Sequence, residues 1–176
     1  TIVASSGWYK SGASFRQLSG GNLGSTVYTC ECTTFSSSTL QSTSSAACTV
    51  TQSQTYYHTG SGSTPIATNV CYSDPGQTVL GNGYYKISST QYIQITGGSG
   101  VVAAVGTFSL GTSFSASTTQ TNATNACAAS INQTFYHNGG ASLPVAANTC
   151  YTDQCKTVFL GNGYYKIGTV GDNKYM

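Results

Sequence analysis

The chain has 176 residues and a mass of 18.2 kDa, and only 6% of it is charged, against roughly 25% in ordinary soluble domains. Its formal charge of +2 is spread over Lys10, Arg16, Lys86, Lys156, Lys166 and Lys174, so no basic patch follows a phosphate backbone and nucleic-acid binding is not expected. With 27 Thr, 25 Ser, 21 Gly and 13 Tyr it is polar, uncharged and β-prone, and no apolar run approaches the ~18 residues of a membrane span.

Residues 1–32 read as the C-terminal strands of a preceding repeat. Thr1-Ile2-Val3-Ala4-Ser5-Ser6-Gly7-Trp8-Tyr9-Lys10 aligns with Thr157-Val158-Phe159-Leu160-Gly161-Asn162-Gly163-Tyr164-Tyr165-Lys166. Phe15-Arg16-Gln17-Leu18-Ser19-Gly20-Gly21 aligns with Tyr92-Ile93-Gln94-Ile95-Thr96-Gly97-Gly98, and Ser25-Thr26-Val27-Tyr28 with Val102-Ala103-Ala104-Val105. The first ten residues carry no basic or apolar leader pattern, so the chain reads as a mature product or an excised piece of something longer.

Residues 33–106 read as one complete β repeat. Thr34-Phe35-Ser36 is answered by Thr107-Phe108-Ser109, Ala47-Cys48 by Ala126-Cys127, and Tyr56-Tyr57-His58 by Phe135-Tyr136-His137. Pro65 is answered by Pro144, and Cys71-Tyr72-Ser73-Asp74 by Cys150-Tyr151-Thr152-Asp153. Residues 107–176 are then a second repeat lacking its last strands. The counterpart of roughly residues 94–106 appears at the start of the chain as 17–29, which makes residues 1–32 a candidate donor segment.

The clearest internal repeat is Leu80-Gly81-Asn82-Gly83-Tyr84-Tyr85-Lys86-Ile87, which returns as Leu160-Gly161-Asn162-Gly163-Tyr164-Tyr165-Lys166-Ile167. Asn82-Gly83 and Asn162-Gly163 fit tight hairpins with positive φ at both turn residues. Alternation places Tyr85 and Ile87 inward, with the Lys86 stem lying across the outer Tyr84. Short strands, closely spaced turns and no helical periodicity give an all-β chain. It is expected to form two tandem antiparallel β-sandwich or barrel-like repeats of about 78 residues, their boundary permuted relative to the termini.

A unit of that size is marginal alone. Cys48 and Cys71 are 23 residues apart, as are Cys127 and Cys150, and the simplest reading is one disulfide inside each unit. Closing such a loop stabilises by about 3 kcal/mol in the chain-entropy account; buried thiols are the alternative. Cys30, Cys32 and Cys155 are left over, so at least one is a free thiol or cross-links to another chain. The cysteines suggest an oxidising, extracellular setting. Zinc is not expected, because no Cys-x-x-Cys pair occurs.

The acids Glu31, Asp74, Asp153 and Asp172 form no paired-carboxylate motif. His58 and Asp74, and likewise His137 and Asp153, are 16 apart, which admits a Ser-His-Asp site arithmetically but brings no nucleophile elbow with it. Lys86 and Lys166 lie near asparagines, as Lys–Asn isopeptide chemistry needs, but without an identifiable neighbouring acid. No catalytic residue, metal or cofactor is assigned. Asn122-Ala123-Thr124 and Asn132-Gln133-Thr134 make Asn122 and Asn132 candidate glycosylation sites. Tyr56, Tyr57, Tyr84, Tyr136 and Tyr164 are candidate ligand-facing aromatics, although tyrosine at this density equally suits a small β core and its rim.

The string from Ala126-Cys127 through Tyr136-His137-Asn138-Gly139, Leu143-Pro144, Tyr151-Thr152-Asp153 and Gly163-Tyr164-Tyr165-Lys166-Ile167, with its twin ending Tyr92-Ile93-Gln94-Ile95-Thr96-Gly97-Gly98, resembles the tandem β repeats of large secreted adhesin-like bacterial surface proteins. Similar repeats occur in predicted bacteriophage fibre proteins. The resemblance implies an extracellular or virion fibre with no catalytic residues, and the three unmatched cysteines depart from it. The expected function is a non-enzymatic structural subunit of an extracellular filament, assembled head-to-tail with copies of itself through shared β strands. The alternative is a segment of a phage fibre or giant adhesin that binds a surface glycan or cell receptor.

Overall fold

A computed structural model describes residues 7–11, 14–19, 22–23, 28–29, 32–75, 77–168 and 174–175. Over these the chain is all-β, built of short antiparallel strands with two six-residue helices. It divides into two units, Thr1–Thr107 and Phe108–Met176.

The first unit begins with β1 (Gly7–Ser11), β2 (Ser14–Ser19), β3 (Asn22–Leu23) and β4 (Tyr28–Thr29). One edge of β2 pairs with β1, from Gly7↔Leu18 to Ser11↔Ser14. The other edge takes β3 (Leu18↔Leu23) and β4 (Phe15↔Tyr28). Next come β5 (Thr33–Ser37), α1 (Ser44–Thr49), β6 (Gln54–His58) and β7 (Cys71–Tyr72), with the strands in sheet order β5-β6-β7. A second sheet, β8-β9-β10, is made by β8 (Gly83–Lys86), β9 (Gln91–Ile95) and β10 (Val102–Thr107).

These last two sheets share one core. Phe35, Cys71, Leu80, Tyr85, Ile87, Ile93, Ile95 and Val102 form a single buried cluster. Six of them lie on strands, with their side chains on the inward face of the pleat, while Leu80 and Ile87 flank β8. Hydrogen bonds stitch both edges. Past β5, the Ser38 N–H donates to the Lys86 carbonyl at 3.0 Å and Gln41 bridges Tyr84. On the far side Val70 bridges Val101, and the Cys71 N–H donates to the Gly100 carbonyl at 2.8 Å. The result is barrel-like.

The second unit repeats the first sheet. It contains β11 (Thr112–Ala116), α2 (Ala123–Ala128), β12 (Gln133–His137), β13 (Cys150–Tyr151), β14 (Lys166–Ile167) and β15 (Lys174–Tyr175). The sheet order is β13-β12-β11-β14-β15. The register Thr33↔His58 and Tyr57↔Tyr72 returns 79 residues on as Thr112↔His137 and Tyr136↔Tyr151. Its buried core is Phe114, Ala116, Tyr165 and Ile167, with half-buried Phe135, Leu143, Cys150 and Leu160 against it.

Four local expectations change. Helices occur where none was expected. Thr43 caps α1 by accepting the Ala46 N–H at 3.1 Å, and Asn122 caps α2 by accepting the Asn125 N–H at 2.8 Å. A capped, alanine-containing stretch is enough for six residues, and that is too short to show helical periodicity. Asn82-Gly83 is not a two-residue hairpin: Gly83 has φ +150° and opens β8 opposite Ile95, while Asn82 keeps negative φ. Tyr85 and Ile87 are buried as expected, but Lys86 does not lie over Tyr84. Its Nζ donates to the Cys48 carbonyl at 2.7 Å, at the C-terminal end of α1, where a cation is favoured. Lys166 does the same to Cys127 at 3.1 Å.

The fourth change concerns the cysteines. Cys71, Cys127 and Cys150 hold thiols, so neither Cys48–Cys71 nor Cys127–Cys150 is bonded. Cys71 faces the barrel core beside Leu80 and Tyr85, whereas Cys48 belongs to α1. The equal spacing of 23 follows from the repeat of the fold and not from a bridge. Cys32, Cys48 and Cys155 are disulfide-bonded, so of the three left-over cysteines, each expected to be a free or cross-linking thiol, Cys32 and Cys155 are not free. Cys30 lies outside the described residues.

Candidate functional site: an open sheet face in the second unit

In each unit a histidine fixes the loop beside the site. His58 Nδ1 accepts the Gly60 N–H at 3.1 Å and lies 3.2 Å from Asn69 Oδ1, which accepts the Ile66 N–H at 3.0 Å. His137, Gly139, Asn148 and Val145 repeat this with distances of 3.1, 3.1 and 3.0 Å. Both imidazoles are fully buried, with Nε2 lacking a hydrogen-bond partner. Each meets a core ring edge-on, Phe35 at 5.5 Å and Phe114 at 5.7 Å. The His-Asp pairing considered from spacing is not formed, since Asn69 and Asn148 occupy the position an acid would need. Asp153 instead accepts the N–H groups of Thr157 (3.0 Å) and Val158 (2.7 Å).

These loops deliver Asn69 and Cys71, or Asn148 and Cys150, to a sheet edge. In the first unit β9 and β10 close that edge. The Val102 N–H donates to the Asn69 carbonyl at 2.9 Å, the Thr68 N–H to the Val102 carbonyl at 2.9 Å, and the Gly98 N–H to Asn82 Oδ1 at 2.8 Å. Gly83, Tyr84 and Tyr85 pair with Ile95, Gln94 and Ile93. Beneath this cover Cys71 is 0% and Leu80 4% exposed.

The equivalent face of the second unit is open. Asn148, Cys150, Leu160, Asn162, Gly163 and Tyr165 line a cavity of about 470 Å³ with Phe159 at its side. Cys150 and Leu160 are only half-buried. Phe159 is 70% exposed and stacks on Tyr151 at 5.5 Å and 26°. Among the described residues no strand lies beside residues 163–165 as β9 lies beside β8. The lining has no acid, no histidine and no Lys or Arg. Burial pushes the Cys71 thiol up to about 12 and also raises Cys150, which disfavours the nucleophilic thiolate. The face therefore offers backbone groups and the Asn148 and Asn162 amides beside the apolar surface of Cys150, Phe159 and Leu160, a combination that can receive a β strand.

Of the candidate aromatics, Tyr56 packs on the core, its ring 6.1 Å from Phe35 and 5.9 Å from Tyr85. Tyr84 is half-buried, edge-on to Tyr92 at 5.5 Å, and its hydroxyl accepts from Gln94 at 3.1 Å. Tyr57 and Tyr136 are half-buried on the middle strands. Tyr164, at 46%, is the openly exposed one of the five. Asn122 and Asn132 are both exposed. Phe159 and Leu160 were not singled out by sequence reasoning. The available signal was the one-residue insertion near Phe159, at the point where the offset between repeats changes from 79 to 80. Among the described residues no group of three His, Cys, Asp or Glu is placed to hold a metal, and no helix is long and apolar enough to cross a membrane. Comparison with protein-family models, curated proteins and solved structures finds no match.

Proposed function

We propose that the protein is a non-enzymatic structural subunit of an extracellular fibre or filament, assembled head-to-tail through shared β strands. The observation that carries this reading is the contrast between units: one sheet face is closed by β9 and β10 in the first unit, and its equivalent is open in the second. An edge at residues 163–165 with no further strand beside it among the described residues, over half-buried Cys150 and Leu160, is a template for strand addition. A contact between different surfaces of successive copies propagates without closing unless a ring geometry intervenes. The low charge, the disulfide and the resemblance to repeat units of bacterial surface fibres agree with an extracellular or virion location, where Asn122 and Asn132 would be accessible to glycosylation.

A second reading is a segment of a phage fibre or giant adhesin that presents aromatic rings to a glycan or receptor. The stacked Tyr151–Phe159 pair, with Phe159 openly exposed, favours it, since such rings suit the apolar faces of sugars. The mass of the native material, reduced and non-reduced, separates the two. Non-covalent multiples of a subunit near 18.2 kDa before sugars support the filament of short subunits. A covalent chain of hundreds of kDa supports the longer fibre.

A further inference from the structure

We propose that Asn162 is a site of self-modification: its side-chain amide is lost by attack of the Gly163 backbone nitrogen, which leaves an aspartyl or isoaspartyl residue at the mouth of the open cavity. The inference goes beyond the filament reading and does not depend on what occupies the face. The chain has three Asn-Gly pairs, at Asn82, Asn138 and Asn162. Glycine is the following residue that least obstructs the attack, since it carries no side chain. All three asparagines are exposed, so access of water does not separate them. How the fold holds the two reacting groups does.

At Asn82 both groups are held. Its Oδ1 accepts the Gly98 N–H at 2.8 Å, and Gly83 is paired with Ile95 in the β8–β9 ladder. At Asn138 the Oδ1 accepts the Thr149 N–H at 3.0 Å, and the attacking nitrogen itself, that of Gly139, donates to buried His137 at 3.1 Å. The attack geometry is reached only by turning the asparagine side chain and backbone together, so at these two sites a hydrogen bond or a strand pairing must first be broken. At Asn162, among the described residues, no N–H donates to the side chain, and Gly163 lies ahead of β14 in no strand ladder. Gly163 is also exposed where Gly83 is half-buried. The comparison with Asn82 is nearly a controlled one, because Leu80–Ile87 and Leu160–Ile167 are the same octapeptide.

The step needs only water as co-reactant. The Gly163 nitrogen loses its proton to a water or hydroxide base and bonds to Asn162 Cγ. The Cγ–Nδ2 bond breaks, and Nδ2 takes up the proton and leaves as ammonia. One water then opens the cyclic imide, at Cγ to give the aspartyl form or at the backbone carbonyl carbon to give the isoaspartyl form. Either product puts a negative charge on a cavity whose lining has no acid. The isoaspartyl form also adds a methylene to the main chain just before the edge at residues 163–165.

The test incubates the full chain, dilute, in mildly alkaline buffer made with heavy-oxygen water, and follows each Asn-Gly peptide by mass spectrometry. Asn162 should convert faster than either Asn82 or Asn138 by roughly fivefold or more, the scale of one net hydrogen bond acting on a rate. Each converted site should carry one heavy oxygen and release one ammonia. In urea, where the fold no longer restrains either copy, Asn82 and Asn162 should convert at the same rate. Asn162→Gln, a change to an exposed side chain, should remove the fast phase of ammonia release and leave the two slow sites as they were. An Asn162 that converts no faster than Asn82 in the folded chain would overturn the proposal, and so would a preference for Asn162 that survives in urea. The readout is made on single chains, so a failure of filament assembly and a failure of this inference are told apart.

Discussion

Tyr85 carries a hydroxyl into the core and satisfies it there by donating to the Gly81 carbonyl at 2.9 Å. Burial first, then the nearby Tyr56 and Cys71, push its pKa up to about 12, although the Gly81 hydrogen bond acts the other way. Cys71, beside it in the cluster, is pushed up to about 12 by burial alone. For both groups the folded state holds the proton more tightly than the unfolded chain. Their contribution to stability is therefore complete below about pH 9 and is lost as pH rises towards 12. Thermal melting of the wild-type protein should fall steeply over that window. Tyr85→Phe should cost about 1 kcal/mol at neutral pH through the lost hydrogen bond and flatten the part of the fall above pH 10. Asp153 behaves in the opposite sense. Burial works against its charge, but the N–H groups of Val158 and Thr157 and the Thr157 hydroxyl outweigh it and lower the pKa. Its contribution is present above the ordinary carboxylate range and is lost as pH falls through the lowered value. Asp153→Ala should cost about 1 kcal/mol at pH 7, since the group is partly solvated, and almost nothing at pH 2, as a urea titration at the two pH values would show.

The strands were the most legible elements. Tyr85 and Ile87 are buried as the alternation along residues 84–87 predicts, because a two-residue period survives even in a short strand. The helices were not legible: at six residues, α1 and α2 have less than two turns in which to show a stripe. Their caps are the local signal, and Thr43→Ala or Asn122→Ala should each lower stability by about 1 kcal/mol, read as a shift of the denaturant midpoint. The Asn-Gly pairs misled because their glycine serves packing as well as conformation. A Cβ on Gly83 would strike the Leu40 side chain and come within 2.6 Å of the Gln41 carbonyl. Gly83→Ala should therefore destabilise by more than the roughly 1 kcal/mol of an ordinary glycine substitution, and should loosen the Gln41–Tyr84 bridge, seen as faster exchange of those two amides.

At the scale of the whole chain, the repeat spacing told where β6 and β7 recur as β12 and β13, but it misplaced the opening strand: Phe35 is answered by Phe114 and not by Phe108, so β5 returns as Thr112–Ala116. Spacing did not tell which cysteines meet, because Cys48 and Cys71 recur together whether or not they touch. It also did not show Phe159 and Leu160 as an open floor, since exposure depends on what lies above a residue and not on its own type. The two units accordingly differ where their sequences agree. Leu80→Ala should cost roughly 2–5 kcal/mol as a fully covered core residue. Leu160→Ala should cost clearly less in the isolated chain, where Leu160 is half-exposed, as calorimetry of the two variants would show. The central claim is that strands from elsewhere close the open face, and the thiols allow it to be read directly. Cys127 is exposed, Cys71 is buried and Cys150 lies between them, so maleimide labelling followed across protein concentration carries its own two controls. Labelling of Cys150 should approach the slow rate of Cys71 as the chain is concentrated and rise on dilution, with Cys127 fast throughout. A Cys150 rate that does not change with concentration and stays well above that of Cys71 would contradict the account.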